Sequence, residues 1–218
     1  MHRHLIMNEA AVIPFPISLE ERLELGTNEV RFPASLEEFA DLLEMCDYQI
    51  EYQDFEIIAM SIASDPHEQI VANFLGLLHG IFKGNPDFRR YGSNRHVFLP
   101  EYPAAYSPDA SVIKGQPEII EYSKGKTANL NPWLLLEILS ESTRQRDLGE
   151  KLPRYKKISS ARYIILVEQD APLVTVFERE DGSGRWISTD YDGLGQSFDL
   201  AGKPVLLADI YENILMKS

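Results

Sequence analysis

The chain has 218 residues, room for one domain with a substantial core or for two small ones. Hydrophobic residues at 44% and charged residues at 25% exclude wholesale disorder, fibrous repeats and a disulfide scaffold, and the single Cys46 cannot close a disulfide within the chain. The balance of 21 basic against 34 acidic residues, a formal charge of −13, argues at first against nucleic acid or anionic membrane as partner.

The densest apolar run, Tyr163-Ile164-Ile165-Leu166-Val167, is strand-sized and far short of a membrane span. The opening residues lack the sustained apolar region of a secretory signal. The expected setting is therefore the cytoplasm, with no membrane partner.

Residues 1–34 show little periodicity and contain Pro14, Pro16 and Pro33, which predicts an N-terminal arm or extension; residues 35–218 then form a single domain. Ser35-Leu36-Glu37-Glu38 reads as a capping box that opens a short amphipathic helix. Residues 48–61 alternate loosely and predict one or two strands with a turn near Asp54. Asp65-Pro66-His67-Glu68 predicts a long helix with Asp65 as cap, Pro66 at the first helical position and Gly84-Asn85-Pro86 as its stop. Strands are expected over 96–99, 108–114 and 133–139, then a helix over about 147–157 weakened by Gly149 and Pro153. Strands over 163–168, 173–178 and 185–190 and a last helix over about 205–214 complete the pattern. This is an α/β (α+β) plan with a mixed central sheet.

Within that plan two acids stand out by context. Trp133-Leu134-Leu135-Leu136-Glu137-Ile138-Leu139 is the apolar run of a strand covered on both faces, and an ionised Glu137 there costs several kcal/mol unless a cation or metal meets it. Asp109 opens a second apolar strand directly after Pro108. Two carboxylates on adjacent strands can hold Mg²⁺, which takes oxygen ligands and keeps several waters, and such an ion can activate water against a phosphodiester. A cation should stand nearby for the developing charge; Lys151 is the candidate, with Arg144, Arg146 and Arg154 around it. Each residue also has an ordinary explanation. Pro-Asp is a common turn element, Glu137 can pair with an arginine, and Lys151 can form an exposed helical ion pair with Asp147. His67 can simply be packed at a helix start, and Glu51, in a polar strand, can be solvated.

The order of motifs resembles a known family. Ser107-Pro108-Asp109-Ala110-Ser111-Val112, then Asn131-Pro132 through Glu137 to Thr143, then Asp147-Leu148-Gly149-Glu150-Lys151-Leu152-Pro153-Arg154-Tyr155 are similar to the Uma-two family of restriction-endonuclease-like proteins, within the PD-(D/E)XK nuclease superfamily. The resemblance continues through Ala161–Val167 and covers all but the N-terminal arm. It implies a restriction-endonuclease-like core and a metal-dependent DNA endonuclease, with Asp109 and Glu137 as ligands of Mg²⁺ (Mn²⁺ as substitute) and the Ile138 carbonyl as an extra ligand. It gives Lys151 the part of a lysine moved from the sheet to the next helix, and lets Glu51 and His67 line the site. The chain departs from the superfamily's Glu-X-Lys, since Leu139 stands where the lysine belongs, and Asp54-Phe55 replaces a tight Asn/Asp-Gly turn. The rival reading is a nuclease-fold binding module without catalysis, joined to a partner protein or to a second copy as a homodimer.

The net charge resolves along the chain. Residues 1–85 carry −11 and residues 163–218 carry −6, while residues 86–162, which hold Asp109, Glu137 and Lys151, carry +4. Phosphate binding follows local basic groups, so Arg89, Arg90, Arg95, Lys124, Lys126, Arg144 and Arg146 are candidates for a basic rim facing DNA.

Overall fold

A computed structural model describes residues 15–26, 29–60, 62–123 and 125–214. In chain order the elements are α1 (Leu19–Glu24), β1 (Val30–Pro33), α2 (Leu36–Met45), β2 (Ile50–Gln53), β3 (Glu56–Ala59), α3 (Asp65–Phe82), β4 (Phe88–Gly92), β5 (Val97–Leu99), β6 (Ala104–Tyr106), β7 (Ala110–Lys114), β8 (Ile119–Ser123), β9 (Lys126–Asn129) and β10 (Leu134–Leu139). A helical segment follows, built of α4 (Arg144–Arg146), one π-helical turn (Asp147–Lys151) and α5 (Leu152–Tyr155). Then come β11 (Tyr163–Glu168), β12 (Leu173–Arg179), β13 (Trp186–Asp192), β14 (Ser197–Leu200), β15 (Lys203–Leu206) and α6 (Leu207–Ile210). The α+β class is as the sequence predicts. Among the described residues no helix is long and apolar enough to cross a membrane.

The chain divides into two compact units. One comprises residues up to Ile62 together with His96–Ser107 and Ile119–Leu130; the other comprises Ala63–Arg95, Pro108–Glu118 and the chain from Asn131 on. The first unit carries a seven-stranded sheet of order β1-β3-β2-β6-β5-β9-β8. The capping box at Ser35 is present, the Ser35 hydroxyl accepting from the Glu38 N–H at 3.2 Å and Glu38 accepting the Ser35 N–H at 2.7 Å. Phe39 and Leu42 are buried by α2, whereas Met45 of the expected apolar stripe is exposed at its end. Residues 15–33, expected within an arm, supply α1 and β1. The signal overlooked is a second capping box, Ser18 with Glu21, while Phe15 packs edge-on against Phe32 of β1. The β2–β3 hairpin turns through Asp54 and Phe55 alone, both at positive φ (52° and 65°). The tight turn therefore exists without glycine, with a phenylalanine in a conformation it disfavours.

The second unit carries a six-stranded mixed sheet of order β13-β12-β11-β10-β7-β4. Strand β10 lies between β11, parallel to it, and β7, antiparallel to it, so both of its edges are paired, and all six of its residues are buried. Period-two alternation sorts them. Leu134, Leu136 and Ile138 join the core formed with Ile70, Phe74 and Leu78 of α3, which leaves Leu135, Glu137 and Leu139 on the opposite face. Helix α3 spans the expected residues, but its cap is Ser64 and not Asp65. The Ser64 hydroxyl accepts the His67 N–H at 3.3 Å, which places His67 at the third helical position. The last helix is shorter than expected, because Lys203–Leu206 pairs as β15 with β14.

Candidate active site

Glu137 points from the middle strand of the second unit to the face covered by the helical segment after it, and is only 4% exposed. Its Oε1 accepts two hydrogen bonds, from Lys151 Nζ at 3.2 Å and from the Tyr155 hydroxyl at 2.6 Å. Lys151 is 2% exposed and also approaches Asp147 Oδ1 at 3.3 Å. The Asp147–Lys151 pair is therefore buried, at 3% and 2% exposure, and not the solvated ion pair of the ordinary explanation. The π turn delivers this arrangement. Leu152 N–H donates to Asp147 O, five residues back. Pro153 has no N–H for the Gly149 carbonyl and its ring crowds that group, so a widened turn immediately ahead of it relieves the clash.

Asp109 stands one residue before β7, whose pairing with β10 ends at Ala110 opposite Leu136. Beyond that point the Ile138 N–H has no ladder partner, and Asp109 Oδ2 takes it at 2.7 Å. The other carboxylate oxygen meets His67 Nε2 at 3.0 Å, and because a carboxylate only accepts, Nε2 carries the proton. His67 lies in the first turn of α3, the end of a helix that favours an anion. Burial disfavours its charged form, but the hydrogen bond and charge of Asp109, reinforced by Glu68 and Asp147, prevail and raise the pKa above the ordinary imidazole value.

Four of the five predicted side chains thus gather in the second unit as two groups, Asp109 with His67 and Glu137 with Lys151, joined through the Ile138 peptide. Glu51 lies in the first unit. It is fully buried, not solvated as its local sequence suggests, and its Oε1 accepts the Ser107 N–H at 2.6 Å. The basic rim loses members. Arg144 is ion-paired with Glu168, Arg146 is 3% exposed inside its own segment, and Lys126 pairs with Glu44 at 3.4 Å; Lys124 lies outside the described residues. Two site residues escaped the sequence reading. Tyr155 and the buried partner role of Asp147 both follow from the spacing Asp147-x3-Lys151-x3-Tyr155, which puts three polar groups on one helical face.

The donor set can be tested against a divalent ion. Among the described residues no group of three or more His, Cys, Asp or Glu side chains gathers as a metal site. Two carboxylates at neighbouring strand positions fall short of Zn²⁺, which takes three or four protein ligands, chiefly Cys and His with carboxylate as a supplement. They do fit Mg²⁺, which is held by one or two carboxylates and keeps the rest of its shell as water and substrate oxygen.

The model of the Uma2 family, described as "Putative restriction endonuclease", matches residues 36–206. The chain belongs to the Uma2 family. A relative from Synechocystis sp., named only as uncharacterized protein sll1609, is 26% identical over 156 residues, 72% of this chain and 86% of that protein. A crystal structure from Anabaena variabilis, of a putative nuclease belonging to DUF820, superposes with a TM-score of 0.63 at 18% identity, covering 82% of this chain and 98% of the other. At that identity the likeness is one of fold, and it agrees with a nuclease-like α+β core. The match begins where α2 begins and closes with β15, so it takes in most of both units of this Uma2 chain and leaves out α1, β1 and α6.

Proposed function

We propose that this Uma2 protein is a Mg²⁺-dependent endonuclease that hydrolyses phosphodiester bonds of DNA. The observation that carries the reading is the position of Lys151. Leu139 occupies the place of the superfamily's sheet lysine, and the helical segment that follows brings a buried ammonium to 3.2 Å from Glu137 instead. In this reading Asp109 and Glu137 hold the metal. The Ile138 carbonyl is a further ligand, because the N–H and C=O of one strand residue leave toward the same neighbour and its N–H already meets Asp109. When bound, the ion supplies Lewis acidity toward a phosphoryl oxygen and a more acidic water. The protein's own groups do the rest. His67 fixes the Asp109 carboxylate. Lys151 positions the attacking water or donates a hydrogen bond to a non-bridging oxygen, where negative charge grows. Glu51 fixes the backbone at Ser107, two residues ahead of Asp109.

Cleavage of supercoiled plasmid in Mg²⁺ or Mn²⁺ tests the assignment. Asp109→Asn, Glu137→Gln and Lys151→Met are each expected to lower the rate by roughly 10²–10³-fold, in line with the loss of one charge-stabilising group. Unchanged cleavage by Asp109→Asn and Glu137→Gln together would sink it. With Arg144, Arg146 and Lys126 engaged elsewhere, DNA binding should be weak and should fall steeply with salt.

One observation favours the alternative, a nuclease-fold binding module that acts with a partner protein or as a homodimer. The Lys151 ammonium already has two carboxylates within 3.3 Å, Glu137 and Asp147, in a buried cluster. Calorimetric titration separates the readings: absence of Mg²⁺ and Mn²⁺ binding selects the module.

A further inference from the structure

The geometry points to Tyr155 as a positioning residue that presents the Glu137 carboxylate to a divalent cation, with an effect opposite in sign to that of Lys151 on the same oxygen. The inference rests on the metal-site reading above.

Tyr155 is fully buried, and a ring in that place would serve packing equally well as phenylalanine. Its hydroxyl adds a demand for a partner, met by Glu137 Oε1 at 2.6 Å, shorter than the 3.2 Å of Lys151 to the same atom. The two donors differ in charge. A cation arriving at Glu137 is repelled by the Lys151 ammonium, so the ion must compete with Lys151 for the carboxylate. The phenol is neutral and can keep its hydrogen bond while the carboxylate coordinates, so it holds the orientation of Glu137 without opposing the ion. Residues that hold a ligating carboxylate by hydrogen bond raise metal affinity in this manner. The four-residue step from Lys151 to Tyr155, across the junction of the π turn and α5, is what brings both donors to one oxygen.

The test is calorimetric titration of Mn²⁺ into the full-length protein, with thermal unfolding of the metal-free protein measured in parallel. Tyr155→Phe should weaken Mn²⁺ binding by roughly tenfold or more, the range for loss of a group that orients a ligand. Lys151→Met should leave binding unchanged or tighten it. A purely structural role for Tyr155 would lower the unfolding temperature and leave the Mn²⁺ affinity alone. Tyr155→Phe binding within twofold of wild type, or Lys151→Met weakening binding as much as Tyr155→Phe, overturns the inference while the metal site stands. Wild-type protein that binds no Mn²⁺ overturns the metal reading itself and this inference with it. Should Tyr155→Phe fail to fold, 3-fluorotyrosine at position 155 retains ring and hydroxyl. Its fluorine resonance should shift on saturation with Mg²⁺, and an unmoved resonance in protein that titrates Mg²⁺ overturns the proposal.

Discussion

The two units bury charge in different ways. In the first, Arg22 is 1% exposed and sends its Nε to the carbonyls of Ala59 and Met60 and its Nη1 to that of Gly26, and Glu51 takes the Ser107 N–H. The same unit keeps titratable groups neutral: burial pushes the Cys46 thiol up to about 12 and raises Tyr48 well above the ordinary phenol value. In the second unit side-chain partners are more prominent, Glu137 against Lys151 and Tyr155, and Asp109 against His67 as well as the Ile138 N–H. Backbone partners are fixed by the fold and cannot leave without unfolding it. Side-chain partners can rotate away, so an incoming ion or phosphate can replace them. The contrast separates charges that hold a structure from charges available for chemistry.

That contrast can be broken at three places, in decreasing order of effect. Glu137→Ala leaves the Lys151 ammonium buried without its nearest carboxylate and should cost about 3–5 kcal/mol in urea unfolding. For that reason glutamine, and not alanine, is the substitution that reports on catalysis. Adding Lys151→Met should recover part of the loss, since partners in one network are non-additive by about 0.5–3 kcal/mol; strict additivity would mean that the pair is not coupled. Glu51→Leu removes the acceptor of a buried N–H and should cost about 1–3 kcal/mol while leaving Mn²⁺ affinity within twofold. A large loss of affinity there would move Glu51 from the backbone-holding group to the chemical one. Phe55→Gly relieves a left-handed phenylalanine that is 67% exposed and should stabilise the first unit by about 1 kcal/mol, with no effect on cleavage.

Much of the second unit was legible in the sequence. The apolar run around Glu137, the long helix from Asp65 and the strand after Asp109 all carry strong local signals, and the isolated acid in an apolar strand correctly demanded a partner. Where the reading fell short, the missing information was non-local. Strand β6, Ala104–Tyr106, is three residues long and exists because β2 and β5 flank it. Strands β8 and β9 lie in sequence between the strand of Asp109 and the strand of Glu137, yet pair in the first unit's sheet. No local pattern announces that the chain leaves one unit at Glu118 and returns to it at Asn131. Arg146 reads as a surface cation and is 3% exposed, because the packing of its helical segment, and not its residue type, decides which way it faces.

By itself the sequence determined the chemical inventory: two carboxylates at strand positions, a lysine on the following helix, a histidine at a helix start, and the family to which their order belongs. Those are properties of residue type and spacing. Only the tertiary structure decided which groups share an atom. That Lys151 and Tyr155 meet one oxygen of Glu137, and that Asp109 takes the Ile138 N–H where β7 stops pairing, depends on strand register and on a widened helical turn. Both are set by packing between segments distant in the chain, and neither is encoded in any single stretch of it.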